Sequence, residues 1–401
     1  MAVYTVDSKE IVKKARRTVS PIFAKSGSRD SAVSWEARME LGSRAYVRGL
    51  YTEAVEEFVK ALKAAEEFGS TDLRMATTLN NLATVHLAQG AYASAEQHLK
   101  RCLAIQQDLL GLEHPDVATT LNNLASLYDA QGKYPEAESL YWRSLTIREK
   151  WLESHHPDVA SSLNNLAALY LAQGRYTEAE PFFKRSIAIW EKTLGPDHPN
   201  VANGLNNLAT LYLTQRLYTE AEPLLQRALN IQQQHRLMSS EHPDIARTLA
   251  DLAEIKRVQR KYAKAESLQK RALTILEETL GPDHPDIAAN INNLARLYHI
   301  QHKYAEAEPL YQRSLTISEK ALGAEHPDVA VSLYNLGLLY DAQNHTDEAM
   351  EFYQRAEAIK EKAFGPKQLD ITGAWKKYAA LLQSLGRDVE GDPLFVMDEM
   401  I

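Results

Sequence analysis

The chain has 401 residues, of which 45 are Lys or Arg and 53 are Asp or Glu, so its formal net charge is −8. An acidic balance argues against nonspecific binding to nucleic acid or to anionic lipid, because both need a positive field. The single cysteine, Cys102, excludes an intrachain disulfide and a zinc site made of cysteines. No segment reaches the ~18 apolar residues of a membrane helix, and the N-terminus has no signal-peptide core, so we expect a cytoplasmic protein.

Residues 1–34 form a basic N-terminal arm. Residues 7–19 are a candidate for a short helix, because Asp7 and Glu10 have the spacing of a capping box. Two interpretations stay open, namely an arm that is solvated and partly disordered and an arm that docks on a partner. The basic residues of this helix candidate are Lys13, Lys14, Arg16 and Arg17.

A repeat dominates the rest of the chain. The triplet His-Pro-Asp, once replaced by His-Pro-Asn, recurs six times at intervals of 42, 42, 44, 42 and 42 residues. Intervals of this size indicate stacked supersecondary units, each of which covers its apolar face with its neighbours. We therefore expect the function on the long surface of the stack. The histidines of the triplets are His114, His156, His198, His242, His284 and His326.

Residues 114–153 show how one unit is built. His114 precedes a proline, which disfavours the α region, and Pro115 suits the first position of a helix that we call helix A. Gly132 supplies the permissive backbone that ends helix A, and Pro135 lies in the first turn of a second helix, helix B. The side of helix A that is expected to pack holds Val117, Leu121, Leu124, Ala125 and Tyr128. The side that is expected to face outward or into a groove holds Thr119, Asn123, Ser126 and Ala130.

The same pattern predicts an all-α protein with eight helical hairpins in residues 35–367. Residues 368–401 hold a final helix near 371–385 and a polar tail. Lys376 and Lys377 suit a cap, since a terminal repeat must present a polar outer face. The hairpins are expected to begin near Trp35, Asp72, Pro115, Pro157, Pro199, Pro243, Pro285 and Pro327.

These repeats resemble a known family. A Gly-x-Tyr turn and an x-Glu-Ala opening of helix B look like the tetratricopeptide repeat (TPR). The 42-residue period, with Asn-Asn-Leu-Ala at 122–125 and Leu-Gly-Pro-Asp-His-Pro at 194–199, resembles the kinesin light chain subfamily. The likeness covers residues 35–385 and implies a right-handed α-solenoid, or superhelix. In that family a heptad coiled coil for the heavy chain precedes the repeats; residues 1–34 show no sustained heptads, so we do not expect a motor subunit.

The resemblance also implies a binding surface. Helix A lines the concave side of such arrays, and the second Asn of each Asn-Asn pair is the residue that contacts peptide. On this sequence that role falls to Asn81, Asn123, Asn165, Asn207, Asn293 and Asn335. Asn costs up to ~0.7 kcal/mol more than Ala inside a helix, so some interaction should compensate. Either peptide contact or hydrogen bonds between neighbouring A helices is a sufficient reason. Repeat six has Ala250 and Asp251 instead of the pair.

Charge changes along the same face. Repeats two to five carry mostly Thr, Ser and Asn there, with Asp129 as the one charge. Repeats six and seven carry three arginines, whose charge is diluted by Asp251 and Glu254. A groove that is neutral first and cationic later suits a partly acidic peptide. The alternative is scattered surface charge without a role in the groove. The arginines are Arg247, Arg257 and Arg296.

Sequence motifs give no support for catalysis. Motifs for a metalloprotease, a phosphate loop, a dinucleotide site and a nucleophile elbow are all missing. The His-Pro-Asp triplets occur once per layer, so stacking keeps them from converging on one metal ion. We therefore expect no enzyme, no metal and no cofactor.

The predicted function is that of a noncatalytic scaffold, which binds an extended, partly acidic peptide segment of a partner protein in the concave groove. We expect no nucleic acid or membrane partner. Two alternatives stay open. The array is either the regulatory or sensor module of a signalling system, or a structural solenoid that associates with copies of itself.

Overall fold

The structure is a computed structural model that describes residues 34–47, 50–234 and 243–364. The chain divides into two compact units, residues 1–224 and 225–401. Within the described residues it contains sixteen α-helices that alternate as A and B helices of eight consecutive hairpins. The predicted all-α solenoid of helical hairpins is confirmed, whereas its right-handedness stays a prediction. The predicted segments 1–33 and 368–401 lie outside the described residues.

Unit 1 contains the first nine helices. Its A helices are α1 (Trp35–Val47), α3 (Leu73–Ala88), α5 (Pro115–Ala130), α7 (Pro157–Ala172) and α9 (Pro199–Thr214). Its B helices are α2 (Tyr51–Glu66), α4 (Tyr92–Leu110), α6 (Tyr134–Trp151) and α8 (Tyr176–Leu194). Helix α10 (Tyr218–Gln234) begins in unit 1 and ends in unit 2.

Unit 2 contains the remaining helices. Its A helices are α11 (Pro243–Val258), α13 (Pro285–Ile300) and α15 (Pro327–Ala342). Its B helices are α12 (Tyr262–Leu280), α14 (Tyr304–Leu322) and α16 (Thr346–Phe364). Within each unit, B helices pack against the A helix before and the A helix after, as α4 does with α3 and α5 and as α12 does with α11 and α13. Successive A helices also touch, α3 with α5, α5 with α7, α7 with α9 and α13 with α15.

The His-Pro-Asp triplet caps the A helices. His114 has an extended backbone, and its Nδ1 accepts a hydrogen bond from the backbone N–H of Asp116 at 3.2 Å. His156, His198 and His284 cap their helices in the same way. The proline that follows begins the helix at the position where its missing N–H costs nothing. The repeated triplet therefore has a structural role as a helix N-cap.

The turn between helices A and B needs a left-handed residue. Gly132 has this conformation, with φ 71°, as predicted from the sequence. Four later hairpins place other residues there at a φ near 60°, and these are Arg216, Arg260, His302 and Asn344. Each non-glycine residue costs roughly 1–2 kcal/mol of backbone strain, so packing and not the turn determines the hairpin there.

The core consists of contacts between the side chains of successive helices. Large B-helix side chains such as Tyr141 and Phe183 are fully buried. Small A-helix residues make room for them: a Cβ on Gly204 would lie 2.7 Å from Cγ1 of Ile187 and 3.0 Å from Cζ3 of Trp190. The predicted packing residues Val117, Leu121, Leu124 and Ala125 are buried. Among the described residues, no helix combines the length and apolarity that a membrane span requires.

Candidate functional site

A ladder of carboxamide hydrogen bonds joins successive A helices. In unit 1, Nδ2 of Asn123 donates to Oδ1 of Asn80 at 2.9 Å, and Asn165 donates in the same way to Asn122 at 3.3 Å. Asn207 repeats this contact with Asn164 at 3.1 Å. In unit 2, Asn335 donates to Asn292 at 3.0 Å. The second Asn of one repeat is therefore bonded to the first Asn of the repeat before it.

This ladder compensates the poor helix propensity of Asn. Each rung uses one donor and one acceptor, although a carboxamide offers two donors and two acceptor lone pairs. Asn123 and Asn165 are half-buried, and Oδ1 of each keeps acceptor capacity. The structural interpretation is therefore realised, and the side chains retain the groups that a peptide backbone would need.

The six predicted asparagines are not equivalent in the structure. Asn123, Asn165, Asn207 and Asn335 are half-buried members of the ladder. Asn81 is only 6% exposed, so little of its carboxamide can reach a ligand. Asn293 is exposed, and Ala250 stands where its ladder acceptor would be. Four of the six predicted positions therefore share one geometry. Of the other two, Asn81 is more buried and Asn293 is more exposed.

A second ladder joins five of the described A helices to the preceding B helix. The tyrosine near the end of helix A donates its hydroxyl to a glutamate, as in Tyr170 Oη to Glu138 Oε1 at 2.9 Å. Burial, and then the bond to Glu138, raises the pKa of Tyr170. Sequence reasoning found the tyrosines and missed the acceptors, which lie 32 residues earlier. The other pairs are Tyr128 with Glu96, Tyr212 with Glu180, Tyr298 with Glu266 and Tyr340 with Glu308.

The predicted cationic stretch is largely neutralised by ion pairs. Arg257 contacts Glu254 at 2.5 Å, and Arg296 contacts the same carboxylate at 2.7 Å. Burial favours a higher pKa for Glu254, but the hydrogen bond from Arg257 and the charges of both guanidinium groups hold that pKa below its usual range. Arg247 is half-buried on the same helix. Arg257 and Arg296 therefore share Glu254 as a carboxylate partner.

The polar face of unit 1 is also less open than expected from the sequence. Ser126, predicted to face outward or into a groove, is only 4% exposed, and Thr84, at the same position of the repeat before it, is 7% exposed. Asp129 is 7% exposed, and burial raises its pKa to about 7. Ser126 and Asp129 lie beside the buried Tyr141 on helix B of the same hairpin, so the packed surface of helix A is wider than one stripe. The groove charge of unit 1 is correspondingly small.

Unit 2 contains a polar cavity that the sequence did not reveal. Its volume is about 150 Å³, and it lies between α11, α12 and α13. The polar side chains that line it are those of Asp251, Glu254, Arg257, Gln269, Asn293 and Arg296. Burial raises the pKa of Asp251 to about 6, against the opposing charge of Arg247. The Asn pattern of the A helices is interrupted at this point by Ala250 and Asp251, both of which line the cavity. Within the described residues, no group of three or more His, Cys, Asp or Glu could hold a metal ion.

Two known structures have sequences similar to that of this chain over about half of its length. A Podosopora anserina protein described as a kinesin light chain with nearly identical TPR-like repeats is 30% identical over 52% of this chain and 99% of its own, with a TM-score of 0.44. BtubC (BKLC) from P. vanneervenii is 24% identical over 58% of this chain and 91% of its own, with a TM-score of 0.47. The predicted resemblance to kinesin light chain-type repeats is confirmed at the level of sequence.

A third structure is similar over more of the chain. A Rap protein in complex with Competence and Sporulation Factor is 16% identical over 88% of this chain and 93% of its own, with a TM-score of 0.61. This likeness concerns the fold. A search of curated proteins gives no match. The family model described as Tetratricopeptide repeat matches residues 36–108, 74–150, 158–234, 244–320 and 287–362. Because these matches cover most of its length, the chain belongs to the tetratricopeptide repeat family.

Proposed function

We propose that this protein is a noncatalytic scaffold that holds an extended segment of a partner protein along its A helices. The observation that carries this proposal is the Asn ladder. Its rungs fix carboxamides at one position of successive repeats, in unit 1 from Asn123 to Asn207. Evenly repeated carboxamides suit the evenly repeated N–H and C=O groups of an extended backbone.

Preorganisation supports the same function. A free Asn side chain loses rotamer freedom when it binds, at a cost of roughly 0.5–1.5 kcal/mol for each immobilised side chain. In the ladder each carboxamide is already held by its neighbour, as Asn165 is held by Asn122. The scaffold therefore binds with part of this entropy already lost during folding. Arrays of this fold accommodate a partner, as the Rap protein in complex with Competence and Sporulation Factor shows for itself.

The preference for acidic residues in the partner remains a finer part of the proposal. It rests on Arg247, Arg257 and Arg296. Glu254 already contacts both Arg257 and Arg296, so a carboxylate of the partner must compete with Glu254 to bind either arginine. We therefore expect the acidic preference to be weak, with less than a tenfold difference in affinity between acidic and neutral peptides, as for other partly exposed ion pairs.

Site-specific cross-linking of the full chain tests the proposal. A random library of linear peptides is selected on the full chain, and the best binders are mixed with variants that carry a photoreactive phenylalanine. One variant has this residue in place of Asn123, and the control has it in place of Arg143, an exposed residue on helix B of the same hairpin. Cross-linking through position 123 and not through position 143 is expected. A library without binders, or cross-linking through position 143 alone, contradicts the proposal.

A further inference from the structure

The Asn ladder has a gap in unit 2. On α11 the pair is replaced by Ala250 and Asp251, whereas α13 and α15 keep Asn292, Asn293 and Asn335. Ala250 removes the carboxamide to which Asn293 would donate by analogy with the other rungs. The polar cavity lies at this point, and both Ala250 and Asn293 line it. At this point an open, polar recess therefore takes the place of an Asn–Asn hydrogen bond.

The charged groups of the recess are unequally satisfied. Glu254 has Arg257 and Arg296 as partners, with N···O distances of 2.5 and 2.7 Å. Asp251 has no hydrogen bond or ion pair to any residue that the structure describes. Arg247, one turn earlier on α11, favours its ionised form through its charge. Asp251 is thus a partly desolvated carboxyl group that lines an open recess, where a donor group on a ligand can replace water at its oxygens.

We propose that this recess is a specificity pocket for one basic side chain of the bound segment, with the Asp251 carboxylate as the acceptor of its ammonium or guanidinium group. This inference rests on the proposed function, because the segment along the A helices delivers the side chain. Oδ1 of Asn293, which is exposed at the rim, is a second acceptor for the same group. A volume of about 150 Å³ holds the last few atoms of a Lys or Arg side chain.

Charge selects the ligand class. An acidic side chain in the recess would lie beside Asp251 and would have to displace Glu254 from its two arginines. An apolar side chain would leave the Asp251 carboxyl group without a donor and without water. A basic side chain forms a charge-assisted hydrogen bond with Asp251 and leaves both ion pairs of Glu254 intact. Specificity in this recess therefore comes from the Asp251 carboxyl group, because the other carboxyl group that lines it, that of Glu254, is already paired.

A double-mutant cycle on the full chain tests this pocket. Peptides selected from a random linear library on the native chain are resynthesised with each Lys or Arg replaced by Met, one at a time. Affinities are measured by calorimetry on the native chain and on Asp251→Asn. Glu278→Gln, on an exposed part of α12, is the control for the loss of one negative charge. Asp251→Asn keeps the size of the side chain, and its melting temperature shows whether the fold is retained.

The expected result is that one basic position of the peptide is coupled to Asp251. Its replacement by Met weakens binding about tenfold on the native chain and on Glu278→Gln, but less than threefold on Asp251→Asn. Selected peptides that bind but lack a basic residue overturn the pocket and leave the scaffold function standing. If replacement of each basic residue by Met lowers the affinity equally for the native chain, Glu278→Gln and Asp251→Asn, the pocket is also overturned and the scaffold function stands. Absence of any peptide binder overturns both.

Discussion

The hydroxyl of Tyr170 donates to Oε1 of Glu138 at 2.9 Å, and the guanidinium of Arg175 lies 3.9 Å from the centre of the same ring. Arg175 also contacts Glu138 at 2.9 Å. These three residues join helix A of hairpin four to helix B of hairpin three. Because the Tyr–Glu pair recurs along the array, it is one of the contacts that fix how one layer sits on the next.

Truncation of this tyrosine should separate its hydrogen bond from its packing. Tyr170 is only 3% exposed. We expect Tyr170→Ala to lower the free energy of unfolding by roughly 3–5 kcal/mol, the usual cost of removing a buried aromatic ring. Tyr170→Phe keeps the ring and should cost about 1 kcal/mol for the lost hydrogen bond. Urea unfolding followed by circular dichroism measures both, and a cost below ~1 kcal/mol for Tyr170→Ala would show that the ring is not an interlayer anchor.

The adjacent residues His155 and His156 allow the N-cap role of the triplet to be tested with a matched control. His156 accepts the backbone N–H of Asp158 at 3.1 Å, whereas His155 is exposed. His156→Ala should destabilise hairpin four by about 1 kcal/mol, the typical value of an N-cap side chain. His155→Ala should change stability by less than ~0.5 kcal/mol. Equal melting temperatures for the two variants would contradict a capping role for the triplet.

Gly204 marks a place where helix A and helix B approach too closely for a side chain. A methyl group there meets Ile187 and Trp190 at 2.7 and 3.0 Å. We expect Gly204→Ala to destabilise the protein by about 1–3 kcal/mol through overpacking, although Ala is the better helix former. Thermal unfolding measures the change. A variant that is as stable as the native chain would mean that the two helices can separate at no cost.

Asp129 should make stability depend on pH. Burial raises its pKa to about 7 in the folded chain, above the usual value of 3.8. The folded state therefore holds a proton that the unfolded state has lost between these two values, so the contribution of Asp129 to stability falls as the pH rises from about 4 to 7. The loss is at most about 4 kcal/mol. No partner for its Oδ2 is present among the described residues.

Asp129→Asn removes this penalty, so it should raise the melting temperature at pH 8 and leave it nearly unchanged at pH 4. The control is Asp108→Asn, which alters an exposed aspartate on α4 and should have little effect at either pH. Calorimetry at the two pH values measures both variants. A melting temperature of Asp129→Asn that is lower than that of the native chain at pH 8 would show that the carboxylate is stabilised by a partner.

The period of the sequence was sufficient to predict the helices. The six His-Pro-Asp or His-Pro-Asn triplets predicted where six of the eight A helices begin, because the N-cap and the proline at the first helical position act within three residues. The rungs of the ladder could not be assigned in the same way, since Asn123 has Asn80 as its partner only when two A helices lie side by side. Glu138, the acceptor of the Tyr170 hydroxyl, could not be predicted for the same reason, because it lies on the neighbouring B helix.

The contact between Glu254 and Arg296 follows from the period of the sequence. Glu254 and Arg296 are 42 residues apart and occupy the same position in neighbouring repeats. Stacking must bring such residues together, and the structure does so at 2.7 Å. A cationic groove was predicted from the arginines without this step. The cavity, in contrast, depends on the volume left by Ala250 and its surroundings, which no pattern of residue types specifies.

The most direct test of the binding surface compares two asparagines of one rung. Asn165 donates to Asn122, so Asn165→Ala and Asn122→Ala both break the rung, and thermal unfolding should show similar losses. Only Asn165 is proposed to contact the bound segment. For a peptide selected on the full chain, we expect Asn165→Ala to weaken binding about tenfold and Asn122→Ala less than threefold, as measured by calorimetry. Equal affinities for the two variants would contradict peptide recognition by the ladder.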